Sequence, residues 1–504
     1  MPARPSQEPG APRLVEQGWQ DTGAEAYRIA QLSAKLGNMS SSSAAFTFID
    51  LFAGVGGFHA ALSALGGECV YAVEKDPDAA AVYERNWQIR ARGDIVDDTQ
   101  GEMRVPKHDV LAAGFPCQPF SKSGYQRGMD EARGTLFWNI LRILEVRRPS
   151  VVLLENVRNI YGPRHKHEWE VIIRSLRELG YQVSSRPIVF SPHLLPPERG
   201  GRPQVRERVF ILATYVGANR SRIDVDPSVP HLPIDGWSPS EWHLEEHLPI
   251  QADHEIGNRL RLNLGPAETA LVEAWNDFVV TLRSAGVPKL PGFPVWVDAF
   301  VHQDDLVVPP GTAAWKAVFL RKNAAFYTEH RELLEAWLSR WNYLRDFPAS
   351  RRKFEWQAKD AESLLDTVMH LRPSGLRVKQ ATYVPALVAI TQTSILGDRQ
   401  RRLSPREAAR LQGLPEWFDF GAQPDAATYR QMGNGVNVGA AYHVFRQHAI
   451  ETAGAIRRRA PGLAAAVEAS DVSPDAALER HWDSSRDVII RRRSSTTDTD
   501  RAAG

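Results

Sequence analysis

The chain has 504 residues, of which 43% are hydrophobic and 24% charged, a composition typical of globular proteins with a sizeable core. Its two cysteines, and the lack of any apolar run of about 20 residues, argue against a disulfide scaffold or a membrane span. We therefore expect a cytoplasmic protein. Since the net charge is only +1, a nucleic-acid surface would require local charge asymmetry.

The first half of the chain alternates between strand and helix patterns. Residues 1–45, rich in Pro, Gly, Ser and Ala, predict a flexible extension. From Phe46, the predicted strands are FTFIDLF, CVYAVE, DVLAAG, VVLLEN and RVFILAT. The predicted helices between them are HAALSALG, DAAAVYERNW, TLFWNILRILEVR and WEVIIRSLRELG. Such alternation predicts an α/β domain with a mostly parallel sheet over residues 46–215.

The second half lacks this alternation and predicts a second, smaller domain over residues 216–400. Its charge is uneven, since residues 314–402 hold 16 Lys/Arg against 9 Asp/Glu. A helix is predicted to begin after Ser404, with Pro405 at its first position and Glu407 completing a capping box. Residues 401–450 form a separate predicted segment, and residues 451–504 predict a flexible tail.

A glycine turn follows the first predicted strand, in FIDLFAGVGGF. A dinucleotide-binding turn would need a third glycine at position 59, where this chain has His59. Glu74 ends the next strand, where a carboxylate can accept two ribose hydroxyls, and Asp94 follows as an acceptor for an adenine amino group. These features favour a nucleoside ligand without phosphate, S-adenosylmethionine rather than NAD. The predicted binding residues of this turn are Asp50, Gly54, Gly56, Gly57, Glu74 and Asp94.

A cysteine between two prolines follows the strand DVLAAG, in GFPCQPFS. Cys117 is predicted at the carboxyl edge of the sheet, where open α/β folds bind ligands, and its prolines restrict the backbone. Glu155 ends another strand at that edge, and Arg206 and Arg208 in QVRER can point to one side. This set predicts a nucleophile with an acid and two cations, whereas Cys69 is interpreted as a buried thiol.

These segments, in this order, resemble the DNA (cytosine-5)-methyltransferases of bacterial restriction-modification systems. FIDLFAGVGGF, VEKD, GDI, GFPCQPFS, ENV and QVRER are similar to successive motifs of that family. RRLSPREAARLQGLP and QMGNGVNV resemble its ninth and tenth motifs, and the second domain falls where the family has its target-recognition region. The resemblance implies the Rossmann-like fold of S-adenosylmethionine-dependent methyltransferases.

The resemblance also implies the reaction. The Cys117 thiolate would add to C6 of a flipped-out cytosine while Glu155 holds N3 and the amino group, so that C5 becomes nucleophilic and accepts a methyl group from S-adenosylmethionine. Arg208 would reach the base O2, and Arg206 would support the adduct or a nearby phosphate. The implied contacts of the DNA and of the catalytic loop are Gln118, Ser121, Ser123 and Gln204.

Further cofactor contacts are implied by the same resemblance. Phe52 would stack on the adenine, with Leu136 on its other flank; the remaining implied contacts are Ile95, Pro116, Asn434, Gly435 and Val436. Lys75 stands where some members carry tryptophan, which leaves that adenine contact open.

The predicted partners are double-stranded DNA and a cognate restriction endonuclease acting on the same site without direct contact. We expect a monomer with neither a metal nor a membrane partner. Two alternatives remain open: a tRNA cytosine-5 methyltransferase and a catalytically inactive DNA-binding homologue. The sequence does not identify the DNA site that is methylated.

Overall fold

The sheet that positions the predicted site is built from the alternating segments of the first half. The structure is a computed structural model that describes residues 44–116, 135–248, 250–388 and 393–480. The strands of the first half are β1 Phe46–Leu51, β2 Gly67–Val73, β3 Ala91–Arg92, β4 Val110–Ala113, β5 Val151–Val157, β6 Tyr181–Val183, β7 Ile188–Phe190, β8 Gln204–Val205 and β9 Arg208–Tyr215. The helices between them are α1 Gly57–Ser63, α2 Pro77–Trp87, α3 Ile95–Thr99, α4 Leu136–Arg147 and α5 Lys166–Glu178.

All of these strands except β8 form an eight-stranded sheet in the order β3-β2-β1-β4-β5-β9-β6, with β7 also paired to β9. The strands from β3 to β5 are parallel, and β9 runs antiparallel to β5. The predicted mostly parallel sheet is therefore confirmed, as are all five predicted strands and four predicted helices, with bounds shifted by up to three residues. Because the strands from β1 to β5 are parallel, the residues after β1, β4 and β5 lie at one edge of the sheet.

Both faces of this sheet are buried, which explains why its strands read as nearly continuous apolar runs. In β1, Phe48 packs into one apolar cluster, whereas Ile49 and Leu51 pack into the cluster on the other face. Apart from Thr47 and Val157, the residues of β1, β4 and β5 are buried. The site edge is thus carried by a rigid, close-packed layer.

A second sheet has six strands in the order β10-β11-β13-β12-β15-β16. The strands of the second half are β10 Val295–Trp296, β11 Lys353–Gln357, β12 Thr367–Arg372, β13 Gly375–Gln380, β14 Val384–Pro385, β15 Ile395–Leu396 and β16 Arg401–Arg402. Helices α6 Leu244–His247, α7 Pro266–Ser284, α8 Ala314–Glu329 and α9 Arg331–Arg340 belong to the same half. One face of this sheet packs on α7, α8 and α9 through a third apolar cluster that includes Trp275, Phe326, Trp337 and Val378.

The two halves are joined by strand pairing and by the last helices. Strand β14 pairs in parallel with β8, immediately before Arg206. The remaining helices are α10 Pro405–Leu411, α11 Asp425–Asn434, α12 Val438–Glu451, α13 Ala453–Ile456 and α14 Pro461–Ala469. Helix α10 has the predicted capping box, in which Ser404 Oγ accepts from the Glu407 amide and Glu407 accepts from the Ser404 amide.

The structure differs from the expected flexible tail over the first part of residues 451–504. Helices α13 and α14 form there, and Ile456, Leu463 and Val467 are buried in the first apolar cluster. These apolar residues are sparse among Ala and Arg, so their burial was not evident from composition. Residues 1–43 and 481–504 lie outside the described residues, and no helix of the described part is long and apolar enough to cross a membrane.

Candidate active site

The glycine turn follows β1 in a conformation that side chains rarely adopt. Phe52, Gly54 and Gly56 have φ values of 56°, 55° and 97°. Glu74, at the end of β2, closes the turn, because its Oε2 accepts a hydrogen bond of 2.7 Å from the Gly54 amide. Its Oε1 accepts another of 2.7 Å from the Asp76 amide. The two predicted binding elements therefore lie in direct contact.

Asp94 lies at the end of β3 as the N-cap of α3. Its carboxylate accepts hydrogen bonds of 3.0 Å from the Val96 amide and 3.0 Å from Lys75 Nζ. The Val96 amide, with help from Lys75, lowers the pKa of Asp94 below its ordinary value. Lys75 thus neutralises the carboxylate that was predicted to face an adenine, and Ile95 beside it is buried.

Asp50 and His59 lie behind the turn, in the interior. Asp50 is fully buried, and desolvation raises the pKa of its carboxyl well above the ordinary value. His59 Nδ1 lies 2.7 Å from Tyr83 Oη, and its ring stacks on Trp87 with 4.3 Å between centroids. Trp87 Nε1 in turn donates to the Val55 carbonyl at 2.9 Å. Asp50 therefore faces the protein interior. Trp87, which the sequence analysis did not single out, stabilises the glycine turn from its interior side.

The segment that leads to the predicted nucleophile is fixed from β5. Asn156 Nδ2 donates to the Phe115 carbonyl at 2.9 Å, two residues before Cys117. A Cβ on Gly114 would stand 3.6 Å from Glu155 Oε2, so the backbone of this segment lies against the carboxyl group of Glu155. Pro116 is exposed, whereas Cys117 and the loop residues Gln118, Ser121 and Ser123 lie outside the described residues.

Glu155 and Arg208 form an ion pair at this edge. Arg208 Nε lies 2.9 Å from Glu155 Oε1, and both side chains are largely buried. Burial raises the pKa of Glu155 above its ordinary value, although Arg208 and Arg206 oppose the shift. The site thus holds a carboxyl group that accepts a proton more readily than an exposed glutamate does.

Arg206 lies deeper in the protein than Arg208 and is only 1% exposed to solvent. Its guanidinium donates to the Leu387 carbonyl at 2.9 Å and to the Gly433 and Gly435 carbonyls at 2.8 and 2.6 Å. Desolvation lowers its pKa to about 9. Arg206 therefore ties the segment after β14 to the turn between α11 and α12.

That turn contains Asn434, Gly435 and Val436 and lies against the glycine turn. A Cβ on Gly57 would meet the Val436 carbonyl oxygen at 2.4 Å, and Val436 Cγ2 lies 3.7 Å from the Cβ position of Gly114. Asn437 caps α12 by accepting from the Ala440 amide at 2.9 Å. Two chain segments separated by almost 380 residues therefore share one wall of the site.

Replacing Gly57 by alanine should disturb this wall. The new methyl group would collide with backbone atoms of Val436, which cannot swing away, and overpacking of this kind costs about 1–3 kcal/mol. We expect a lower unfolding temperature and weaker binding of S-adenosylmethionine, measured by calorimetry. In the control Gly257→Ala, the new Cβ meets no atom within 4 Å, and both quantities should stay at the wild-type values.

Cys69 has none of the features of a reactive thiol. Its Sγ donates to the Tyr71 carbonyl at 3.4 Å, and burial raises the pKa of the thiol to about 12. Its thiolate population at neutral pH is thus about a thousandfold lower than that of an unperturbed thiol.

Alkylation by iodoacetamide at pH 8 should accordingly label Cys117 in the folded protein and leave Cys69 unmodified. Peptide mass spectrometry would identify the labelled thiol. In a Cys117→Ala variant, labelling should appear only after unfolding in denaturant, whereas rapid labelling of Cys69 in the folded variant would contradict this assignment.

Two further predicted residues are placed by the structure. Leu136 is half-buried at the start of α4 and packs against the second apolar cluster, as Phe52 does. Gln204 is fully buried, and its Nε2 donates to the Leu411 carbonyl at 3.3 Å, so its side chain faces the interior.

Among the described residues, no group of His, Cys, Asp and Glu could hold a metal ion.

Comparisons with known proteins point to the same family as the sequence motifs. Residues 46–449 match the family described as C-5 cytosine-specific DNA methylase. Type II methyltransferase M.AluI of Cellulosimicrobium cellulans is 49% identical over 484 residues, which cover 81% of this chain and 93% of that protein. Type II methyltransferase M.HhaI of Haemophilus parahaemolyticus is 44% identical over 33% of this chain and 48% of that protein. Type II methyltransferase M.HpaII of Haemophilus parainfluenzae is 40% identical over 34% of this chain and 46% of that protein.

Proposed function

The chain belongs to the C-5 cytosine-specific DNA methylases and is a DNA (cytosine-5)-methyltransferase, and from this premise we propose how its residues perform the reaction. The methyl group goes from S-adenosylmethionine to C5 of a cytosine flipped out of duplex DNA, through a covalent bond between Cys117 Sγ and C6. The observation that carries this proposal is the buried Glu155–Arg208 pair beside the segment that ends at Cys117.

The residues around the glycine turn fit a nucleoside-bearing methyl donor. No atom lies within 4 Å of the Cβ position of Gly54, which leaves room for a ligand close to the backbone. Each carboxylate oxygen of Glu74 accepts one amide hydrogen and keeps a second lone pair for a ribose hydroxyl. Phe52, Asp94, Ile95, Leu136 and Val436 would surround the adenine, and the bound donor would supply an electrophilic methyl group.

On the DNA side, the chain's residues act on the cytosine ring. Cys117 forms a bond to C6 as a thiolate, and the electron pair moves towards C5 and N3. Glu155, whose pKa burial raises, holds N3 and the amino group and supplies a proton as negative charge develops there. Arg208, held by Glu155, reaches O2 of the base. C5 then takes the methyl group, and S-adenosylhomocysteine is the leaving group. A base from solvent removes the C5 proton, the freed electron pair re-forms the C5–C6 double bond, and Cys117 leaves as a thiolate. The N3 proton returns to Glu155, which restores the ring and the enzyme.

Arg206 has a positioning role in this proposal. Its guanidinium is bound by three backbone carbonyls and is buried, so its contribution is to hold Leu387 and Gly435 in place rather than to contact the reacting atoms.

Flipping the cytosine out of the duplex costs a few kcal/mol, which contacts between the protein and the DNA must offset.

The family also indicates the substrate and the biological role of the reaction. DNA is the substrate, and the similarity to Type II methyltransferases supports the modification role in a restriction-modification system. We extend this to a cognate endonuclease that recognises the same site, and to a cytoplasmic monomer that acts on the duplex alone.

Mechanism-based trapping tests the covalent step. The protein is incubated with S-adenosylmethionine and a library of duplexes containing 5-fluorocytosine, whose C5 fluorine prevents the final elimination. We expect a DNA adduct that survives denaturation and maps to Cys117, and no adduct with Cys117→Ala. DNA binding without an adduct would overturn the nucleophile assignment, and adducts with tRNA alone would overturn the substrate.

A further inference from the structure

One face of the second sheet carries more cations than acidic partners. In β12 and β13, Met369, Leu371, Leu376 and Val378 face the apolar cluster beneath the sheet. Side chains alternate along a strand, so the intervening residues face the other way. The resulting surface, which we call the basic face, consists of His370, Arg372, Arg377 and Lys379, all partly exposed.

The strand register places these four residues together. His370 lies opposite Arg377, and Arg372 lies opposite Gly375 at the end of the β12–β13 hairpin. On the neighbouring strand β11, Glu355 lies opposite Arg377 and forms an ion pair with it at 2.8 Å. In the part of the chain that the structure describes, neither Arg372 nor Lys379 lies within ion-pair distance of a carboxylate.

This arrangement is electrostatically unfavourable in the free protein. Partial burial and the nearby Arg377 lower the pKa of both Arg372 and Lys379, and Glu355 is the one acid that opposes the shift in each case. Burial, followed by repulsion from Arg372, Arg402 and Arg377, lowers the pKa of His370 to about 4. Half-buried cations that repel each other are stabilised when a polyanion binds, so the basic face has the character of a binding surface.

The basic face is connected to the active site through the chain. Beyond Lys379, whose ammonium lies over the Tyr383 ring, the chain forms β14 and pairs with β8. It then reaches Leu387, whose carbonyl binds Arg206. His370 lines a small cavity together with Leu387 and Tyr429. A short stretch of chain therefore links the basic face to Arg206, which lies two residues before Arg208 of the Glu155–Arg208 pair.

We propose that the basic face reads the DNA around the target cytosine, with Arg377 contacting a guanine and Arg372 and Lys379 contacting phosphates. Arg377 has the reading role because Glu355 fixes its guanidinium, and an oriented guanidinium matches O6 and N7 of guanine in the major groove. Gln357 Nε2 donates to the same Glu355 oxygen at 2.6 Å and holds that carboxylate in place. Arg372 and Lys379 have no such orientation and are suited to phosphate. This inference rests on the proposed function, since it assigns sequence reading to the same reaction.

The reading role is tested by Arg377→Gln and Glu355→Gln, with 5-methylcytosine mapping of DNA methylated by each purified variant. Losing a guanine contact should reduce discrimination at one base pair about tenfold to a hundredfold, and the remaining positions should be read as before. Glu355→Gln should relax the same position, because it releases Arg377. Wild-type unfolding temperature and binding of S-adenosylmethionine show that a variant is folded.

The phosphate role is tested by the double variant Arg372→Ala/Lys379→Ala in DNA-binding titrations at several salt concentrations. Loss of two phosphate contacts should weaken binding to all sequences alike and reduce the slope of log K against log[salt] by about two. The matched control Lys316→Ala/Arg321→Ala removes two exposed cations from α8, which packs on the opposite side of the sheet. It should leave both specificity and slope unchanged.

The outcomes separate this inference from the proposed function. If the wild-type protein methylates a fixed sequence but Arg377→Gln keeps the full specificity, the reading assignment is overturned while the reaction stands. A salt slope equal to that of the α8 control overturns the phosphate assignment. If the wild-type protein forms no 5-methylcytosine, the proposed function fails, and the binding titrations still decide whether the basic face contacts DNA.

Discussion

A Glu155→Gln variant is expected to transfer methyl groups about a hundredfold to ten-thousandfold more slowly than the wild-type protein. Glutamine has nearly the same volume and can still accept a hydrogen bond from Arg208, so the packing at the end of β5 should persist. It cannot hold and release a proton, however, and it cannot balance the charge of Arg208. Because burial raises the pKa of Glu155, its carboxyl group holds a proton more readily than an exposed glutamate does.

Single-turnover methylation with the duplex bound in advance separates chemistry from binding. The variant should bind DNA and S-adenosylmethionine with affinities near those of the wild-type protein, while the rate of the chemical step falls. Glu145→Gln is a suitable control, since Glu145 lies on the exposed side of α4 and pairs only with Arg142 among the described residues. A Glu155→Gln rate within tenfold of the wild-type rate would remove Glu155 from the reaction.

Replacing Glu407 by glutamine should cause a large loss of stability, about 3–5 kcal/mol in the free energy of unfolding. Arg401 and Glu407 are both completely buried, with Arg401 Nη2 2.9 Å from Glu407 Oε1. Glu407 also accepts from the amides of Gln251 and Ser404, at 2.9 and 2.8 Å. Removing its charge takes away the carboxylate that binds both terminal nitrogens of the buried Arg401 guanidinium, at the junction between the second sheet and α10.

Glu416→Gln provides the comparison, because the Arg410–Glu416 pair has similar distances but an exposed carboxylate. A pair of this kind contributes about 0–1 kcal/mol. Urea unfolding of both variants measures the difference in the free energy of unfolding. Equal losses in the two variants would contradict the view that burial makes the Arg401–Glu407 pair important.

The sequence predicted the sheet that carries the site because its signals are local. Strands such as FTFIDLF and VVLLEN are nearly continuous apolar runs, as is typical of strands buried on both faces. The capping box at Ser404 and Glu407 spans only four residues. The glycine turn and Glu74 were also predictable, since both lie where adjacent parallel strands end. Their direct hydrogen bond follows from the register of β1 and β2.

What the sequence could not reveal depends on contacts between distant residues. Arg206 binds carbonyls 181 to 229 positions away, and nothing in QVRER distinguishes an arginine that holds backbone from one that contacts substrate. Lys75 faces Asp94 across two strand ends, and Asn156 orients the Phe115 carbonyl from the next strand. The helices after residue 451 were missed because their apolar residues are few and only tertiary packing buries them.

The central claim is most directly tested by bisulfite mapping of plasmid DNA from cells that express the protein, beside cells that express Cys117→Ala. The account predicts 5-methylcytosine at one short recurring sequence with the wild-type protein and none above background with the variant. Methylation that persists in Cys117→Ala, or its absence with soluble wild-type protein that binds S-adenosylmethionine, would contradict the claim.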